Sequence, residues 1–87
     1  MKPEETIQTE VTTKEGRVIS ITMDTYKEPI GKTADGDFHN IQTFTYKDTN
    51  EEIGKLTFPK ATKITLERQQ EVAVHNIEEY LDVISKG

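Results

Sequence analysis

The sequence contains no cysteine and no tryptophan, and only 32% of its 87 residues are hydrophobic. The absence of cysteine excludes disulfide bonds and every metal site built on thiolates. Even with the five glycines added, the apolar content stays below the roughly 45–50% of an average globular domain. The core must therefore be thin, and small proteins without disulfides or metals often compensate by oligomerising. We expect one domain, residues 1–87, that forms a homodimer.

Long apolar runs and an excess of positive charge are also absent. No segment has the roughly 20 apolar residues of a membrane helix, and the start Met1-Lys2-Pro3-Glu4-Glu5 lacks the apolar region of a secretory signal. We therefore expect a cytoplasmic protein that does not bind membranes. The formal net charge of −5 also argues mildly against duplex DNA as the main partner, because the phosphates of DNA attract basic surfaces.

Residues of the kinds that carry catalysis are few. The chain has two serines, Ser20 and Ser85, and two histidines, His39 and His75. Neither serine lies in the sharp turn that presents a catalytic nucleophile. No glycine-rich phosphate loop and no His-Glu-x-x-His motif occurs. We expect no catalytic residue, no cofactor and no metal, and hence a protein that is not an enzyme.

Four segments alternate in the manner of β-strands, and threonine is frequent in them. They are residues 4–13, 17–27, 40–48 and 53–58. Lys14-Glu15-Gly16 predicts a hairpin turn between the first two strands, because glycine adopts the left-handed conformation without strain. Residues 28–39 contain Pro29, Gly31 and Asp35-Gly36 and predict a mobile loop. Residues 1–5 are predicted to be disordered.

After Lys63 the spacing of the apolar residues changes from that of a strand to that of a helix. On a helical wheel, one stripe of about 120° collects the apolar residues of segment 66–86, namely Leu66, Ala73, Val74, Ile77, Tyr80, Leu81 and Ile84. Thr65 is a suitable N-cap residue. The predicted fold is α+β: an antiparallel four-stranded meander (β-β-β-β-α) with one long C-terminal amphipathic helix packed on it.

Two charged surfaces are candidates for binding. Glu67, Glu71, Glu78 and Asp82 form an acidic stripe on the predicted helix. Like charges four residues apart destabilise a helix slightly, so the stripe weakly favours a basic protein partner. The alternative is a solubilising surface.

The second candidate surface is basic and aromatic. Lys55, Lys60 and Lys63 follow one another without an intervening acid, Phe58 lies among them, and Tyr46 belongs to the preceding strand. Aromatic rings flanked by lysines can stack single-stranded bases while the lysines hold phosphates. The alternative is that the aromatic residues belong to the core and the lysines protect a sheet edge.

The order β-β-β-β-α, with Lys63-Ile64-Thr65-Leu66 leading into the helix, resembles the single-stranded-DNA-binding transcriptional coactivator and Whirly class. The resemblance covers residues 7–85 and implies dimerisation through the helix and DNA binding on the sheet. The loop at 28–39 and the acidic balance depart from that class.

From these observations we expect a small non-catalytic interaction protein, an accessory, regulator or inhibitor, that binds another protein. The alternative is a single-stranded nucleic-acid-binding protein of the ββββα type.

Overall fold

A computed structural model describes residues 2–86, and Met1 and Gly87 lie outside the described residues. The strands are β1 Glu5–Thr12, β2 Val18–Thr25, β3 Gly31–Thr33, β4 Gly36–Phe38, β5 Asn40–Tyr46 and β6 Glu52–Phe58. Two helices follow, α1 Lys63–His75 and α2 Ile77–Lys86. The sheet is antiparallel with the order β1-β2-β5-β6, while β3 and β4 form a separate hairpin. The predicted α+β class and four-stranded antiparallel sheet are confirmed.

The alternation of apolar residues decides which face of the sheet is buried. Ile19, Ile21 and Met23 of β2 are fully buried, and Ile21 lies directly opposite the buried Phe44 of β5. Residues between them in sequence point to the other face, because successive strand residues alternate. The turn between β1 and β2 also follows the prediction, since Gly16 has a φ of 85°. Both helices pack on this one face of the sheet.

The single long helix predicted for residues 66–86 is wrong in two respects. The helical segment begins at Lys63 rather than Leu66, because Thr62 rather than Thr65 is the N-cap residue and its Oγ1 accepts a hydrogen bond from the Thr65 amide (3.3 Å). It is also interrupted at Asn76, whose φ of −122° and ψ of 31° are not helical.

The break at Asn76 divides the cover of the sheet between the two helices. The backbone amide of Asn76 donates to the Val72 carbonyl (3.0 Å), and its side-chain Nδ2 donates to the same oxygen (2.9 Å). Asparagine competes in this way with regular helix bonding. As a result α1 packs on β1 and β2, whereas α2 packs on β6. The predicted apolar stripe continues across the break, because Leu66 and Ala73 of α1 and Ile77 and Ile84 of α2 are all buried.

Residues 28–39, predicted as a loop, include the short hairpin of β3 and β4. Gly36 has a φ of 110°, which permits the tight turn between these strands. The mobility of this segment stays a prediction. The disorder of residues 1–5 also stays a prediction. In the structure Glu5 belongs to β1, and the Glu4 amide donates to the Thr25 carbonyl (2.7 Å).

One buried side chain joins α1 to three strands. Gln70 is 4% exposed, and its Nε2 donates to the carbonyls of Ile7 (3.0 Å) and Ile21 (3.2 Å), on β1 and β2. Its Oε1 accepts from Nε2 of the fully buried Gln42 on β5 (2.5 Å). Buried amide groups are usually hydrogen-bonded, so these three bonds favour one position of α1 on the sheet. Among residues 2–86, Gln42 Oε1 has no hydrogen-bond partner.

The packing of α2 on the sheet depends on a glycine. Gly54 on β6 faces α2, and a Cβ atom at this position would lie 3.0 Å from Ile84 Cβ and 3.2 Å from the Ile84 carbonyl oxygen. The absence of a side chain therefore allows the close approach of α2 to the sheet.

We predict that Gln70→Met destabilises the protein by about 1–3 kcal/mol, because Gln42 Nε2 then loses its buried acceptor. The double variant Gln42→Met/Gln70→Met should cost less than the sum of the two single variants, since it removes both polar partners together. Urea unfolding measures all three free energies. Additive losses would show that the two amides do not act as a pair.

We predict that Gly54→Ala costs about 1–3 kcal/mol by forcing α2 away from β6. The control is Thr57→Ala on the opposite face of β6, which should change the stability by less than about 0.5 kcal/mol. Thermal and urea unfolding of the two variants test the contrast. Equal stabilities would contradict the close packing of Ile84 on Gly54.

Candidate interaction surfaces

The acidic side chains predicted to bind a protein are all exposed, but most of them have partners within the chain. The break at Asn76 separates them into one pair on α1, Glu67 and Glu71, and one pair on α2, Glu78 and Asp82. Arg68 pairs with Glu71 (3.7 Å) and Lys86 with Asp82 (3.1 Å). Glu78 Oε1 accepts a hydrogen bond from the Lys14 amide (2.8 Å). The two ion pairs reduce the charge that is available to a partner, and the hydrogen bond occupies one carboxylate oxygen of Glu78.

The basic and aromatic residues predicted to bind single strands are divided between two faces. Phe58 lies opposite the fully buried Asn40 and therefore points to the helix-covered side. Tyr46 packs against the core on that side. Lys55 points to the open face, because it neighbours Leu56, which packs against the core. The structure does not bring Lys55 together with the two rings.

Lys60 and Lys63 lie elsewhere, at a cleft of about 550 Å³ at one end of the sheet. The cleft is bounded by the start of β1, the end of β2, the start of β5 and the segment that leads into α1. Lys63 pairs with Glu5 (3.0 Å). The hydrogen bond to Glu5 raises the pKa of Lys63, with charge attraction adding to it.

The edge of β1 offers backbone groups that sequence reasoning did not single out. The Thr13 amide donates to the Arg17 carbonyl (2.8 Å), in the same register as the pairs Val11–Ile19 and Ile7–Met23. In an antiparallel ladder such pairs alternate with pairs whose N–H and C=O groups point outward. The outward groups belong to Thr6, Gln8, Glu10 and Thr12. Among residues 2–86 no strand lies beyond β1.

The opposite edge, β6, is protected against strand pairing. The register shifts between Phe44 and Thr45, which leaves an extra residue in β6, and such bulges distort an edge. Lys55 lies within the strand and Pro59 follows it. Charged residues, bulges and proline are common means of blocking an edge. β1 is eight residues long and has no proline, glycine, lysine or register shift.

The charges on β1 are neutralised within the protein. Glu5 pairs with Lys63 (3.0 Å) and Glu10 pairs with Lys47 (2.6 Å). A neutral strand that approaches this edge therefore meets little net charge.

A third charged cluster lies at the far end of the sheet. Arg17 Nη2 contacts Asp48 Oδ1 (3.1 Å), and the guanidinium lies 3.5 Å from the centroid of the Tyr46 ring. The hydrogen bond from Arg17 holds the pKa of Asp48 below its usual value of 3.8, and charge attraction adds to this effect. The Arg17 guanidinium therefore joins the β1–β2 turn to the β5–β6 turn through its contacts with the Tyr46 ring and the Asp48 carboxylate.

Within residues 2–86, no group of three or more histidine, aspartate or glutamate side chains is arranged to hold a metal ion. No helix in the described part of the chain is long and apolar enough to cross a membrane. Cytoplasmic location stays a prediction.

We predict that Arg17→Gln raises the pKa of Asp48 toward 3.8. Because the folded-state pKa is depressed, the pair stabilises the protein above the unfolded pKa, and this stabilisation is lost as pH falls through the folded value. The stability difference between wild type and Arg17→Gln should therefore shrink in acid. NMR titration of the carboxyl carbon measures the pKa, with Lys47→Gln as the control. An unchanged Asp48 titration in Arg17→Gln would contradict the assignment.

Comparisons of this chain with protein-family models, with curated proteins and with solved structures find no match.

Proposed function

We propose that this protein is a small non-catalytic interaction protein, an accessory, regulator or inhibitor, that binds another protein by accepting one of its strands at the edge of β1. The observation that carries the proposal is the set of outward N–H and C=O groups of Thr6, Gln8, Glu10 and Thr12 on a regular, unprotected edge. Strand addition at an exposed edge is a common mode of peptide recognition, in which main-chain hydrogen bonds supply affinity.

The side chains of β1 support this mode of binding. Ile7 and Val11 are only half-buried, although they point to the helix-covered side. An added strand with apolar residues at alternate positions would extend the apolar layer and cover these two side chains. The edge itself is close to neutral, so the partner strand has no need of a matching charge.

The acidic residues of α1 suit basic residues that flank such a strand. Lys63 reaches Glu5 of β1, and Glu67 is one helical turn further along the same side of α1. Glu67 therefore lies on the flank of α1 that overlooks the start of β1. We infer a partner segment that is extended, largely uncharged in its centre and basic at one end.

Single-stranded nucleic-acid binding has less support. Its stacking residues Tyr46 and Phe58 point to the helix-covered side, away from Lys55. A salt titration with a short oligonucleotide separates the two functions, because phosphate contacts weaken steeply as salt rises. Micromolar, salt-sensitive binding would favour the nucleic-acid function.

We predict that Gln8→Pro weakens partner binding about tenfold or more while the protein stays folded. Proline removes one outward N–H donor, and proline is tolerated where that N–H faces away from the sheet. Gln8→Ala is the matched control, because it removes the same side chain, which bonds Ser20 (3.0 Å), but keeps the amide. Thr9→Pro should instead lower the melting temperature strongly, since the Thr9 amide faces β2.

Side-by-side affinity capture with wild type, Gln8→Ala and Gln8→Pro identifies the partner, and hydrogen exchange on the purified complex locates it. The amides of residues 6, 8, 10 and 12 should exchange more slowly in the complex. Equal capture by all three proteins, or slowed exchange confined to another surface, would overturn the proposal.

The predicted homodimer is a competing use of the same edge. Sedimentation equilibrium of wild type and Gln8→Pro distinguishes the two. If wild type is a dimer and Gln8→Pro is a monomer, β1 binds a second copy rather than another protein.

A further inference from the structure

The half-buried side of β1 favours one pairing geometry for an added strand. The outward N–H and C=O groups belong to the even-numbered residues from Thr6 to Thr12. In an antiparallel pairing the residues between them, Ile7, Thr9 and Val11, take the non-hydrogen-bonded positions, where facing Cα atoms are about 4.5 Å apart rather than about 5.5 Å. These three residues are half-buried on the helix-covered side. Antiparallel pairing therefore brings the partner's side chains closest to the residues that it can still cover.

The rest of the sheet favours the same direction. Every pair of neighbouring strands in the four-stranded sheet is antiparallel. A parallel strand at β1 would create a mixed sheet, and purely antiparallel sheets are over-represented in proteins. Parallel pairing is also slightly less stable per residue.

One exposed acid on α1 distinguishes the two ends of β1. Lys63 pairs with Glu5 at the start of the strand (3.0 Å). The hydrogen bond to Glu5 raises the pKa of Lys63, and charge attraction from Glu5 and Glu67 adds to this effect. Glu67 therefore lies near the start of β1, and none of the ion pairs among residues 2–86 includes it. The exposed Lys14 follows the other end of the strand, so a cation is favoured at the start and disfavoured at the end.

We propose that the partner segment runs antiparallel to β1 and has the pattern apolar-x-apolar-x-apolar-x-basic, where x is polar. The three apolar residues face Val11, Thr9 and Ile7 in that order. The basic residue stands opposite Glu5 on the helix-covered side, where its apolar stem continues the apolar layer and its charged head reaches Glu67. The basic end of the partner segment is therefore its C-terminal end. This inference rests on the proposed function, to which it adds direction and register.

Two synthetic peptides of identical composition test the direction. The forward peptide is acetyl-Thr-Val-Thr-Val-Thr-Val-Thr-Lys-amide, and the reversed peptide has the same residues in the opposite order. Blocked termini leave lysine as the single charge in each. In isothermal titration the forward peptide should bind about threefold or more tightly than the reversed one. Equal affinities, tighter binding of the reversed peptide, or no binding of either at millimolar concentration would overturn the proposal.

The absence of cysteine from the chain permits a direct test by disulfide tethering. The forward peptide, extended by Gly-Cys at its C-terminus, is equilibrated in glutathione buffer with Lys2→Cys, just before β1, or with Lys14→Cys, just after it. An antiparallel strand places the peptide thiol near residue 2, and proximity raises its effective concentration there. Mass spectrometry should show about tenfold more linked peptide on Lys2→Cys. Equal linkage, or more on Lys14→Cys, would contradict the antiparallel direction.

Charge variants test the contact with Glu67. Glu67→Gln should weaken forward-peptide binding about twofold to fivefold, the range of an exposed ion pair, and added salt should reduce this difference. Glu52→Gln makes the same charge change on β6, at the opposite edge of the sheet, and should leave the affinity unchanged. Glu67→Lys should bind better a peptide in which glutamate replaces the lysine. Equal effects of Glu67→Gln and Glu52→Gln, or no such exchange of preference, would show that the register is wrong.

Failure of this inference and failure of the proposed function give different results. Partner capture that is lost in Gln8→Pro, with slowed exchange at residues 6, 8, 10 and 12, supports strand addition in either direction. If those results hold while the tethered peptide prefers Lys14→Cys, strand addition stands and the antiparallel direction is wrong. Equal capture by wild type and Gln8→Pro overturns both.

Discussion

The placement of α1 depends on the hydrogen bonds of Gln70. This side chain donates to carbonyls on β1 and β2 and accepts from Gln42 on β5. Apolar contacts alone tolerate sliding, because they are not directional. A buried amide has a few permitted positions, and any displacement leaves polar atoms without partners. In a protein with a thin core, these bonds add a directional constraint to the apolar packing of α1.

The position of α1 determines which surfaces remain available. With α1 on β1 and β2 and α2 on β6, the break at Asn76 allows the two helices to cover the sheet from different directions. Within residues 2–86, neither helix covers the opposite face of the sheet, the outward backbone of β1 or the cleft beside the start of α1. The availability of the β1 edge therefore depends on where the two helices lie on the sheet.

Charged residues are abundant in this chain, but they contribute little to binding at the β1 edge. Exposed acids such as Glu10, Glu71 and Asp82 have cationic partners nearby, and exposed pairs of this kind contribute little to stability. The features left without internal partners are of another kind. Among residues 2–86 they are the outward backbone groups of β1 and three buried side-chain oxygens, those of Thr25, Asn40 and Gln42. A buried oxygen without a donor costs more than an exposed ion pair gains.

Periodicity and turn chemistry are local, so the sequence alone predicts the α+β class, the four strands, the Gly16 turn and the apolar stripe of the helical segment. The order of the strands in the sheet, the division of the two helices between β1–β2 and β6, and the partners of Gln70 depend on the tertiary structure. Strand pairing and helix packing join residues far apart in sequence, such as Gln70 with Ile7 and Gly54 with Ile84. The edge of β1 and the cleft follow from strand order and helix placement, and no local pattern encodes either.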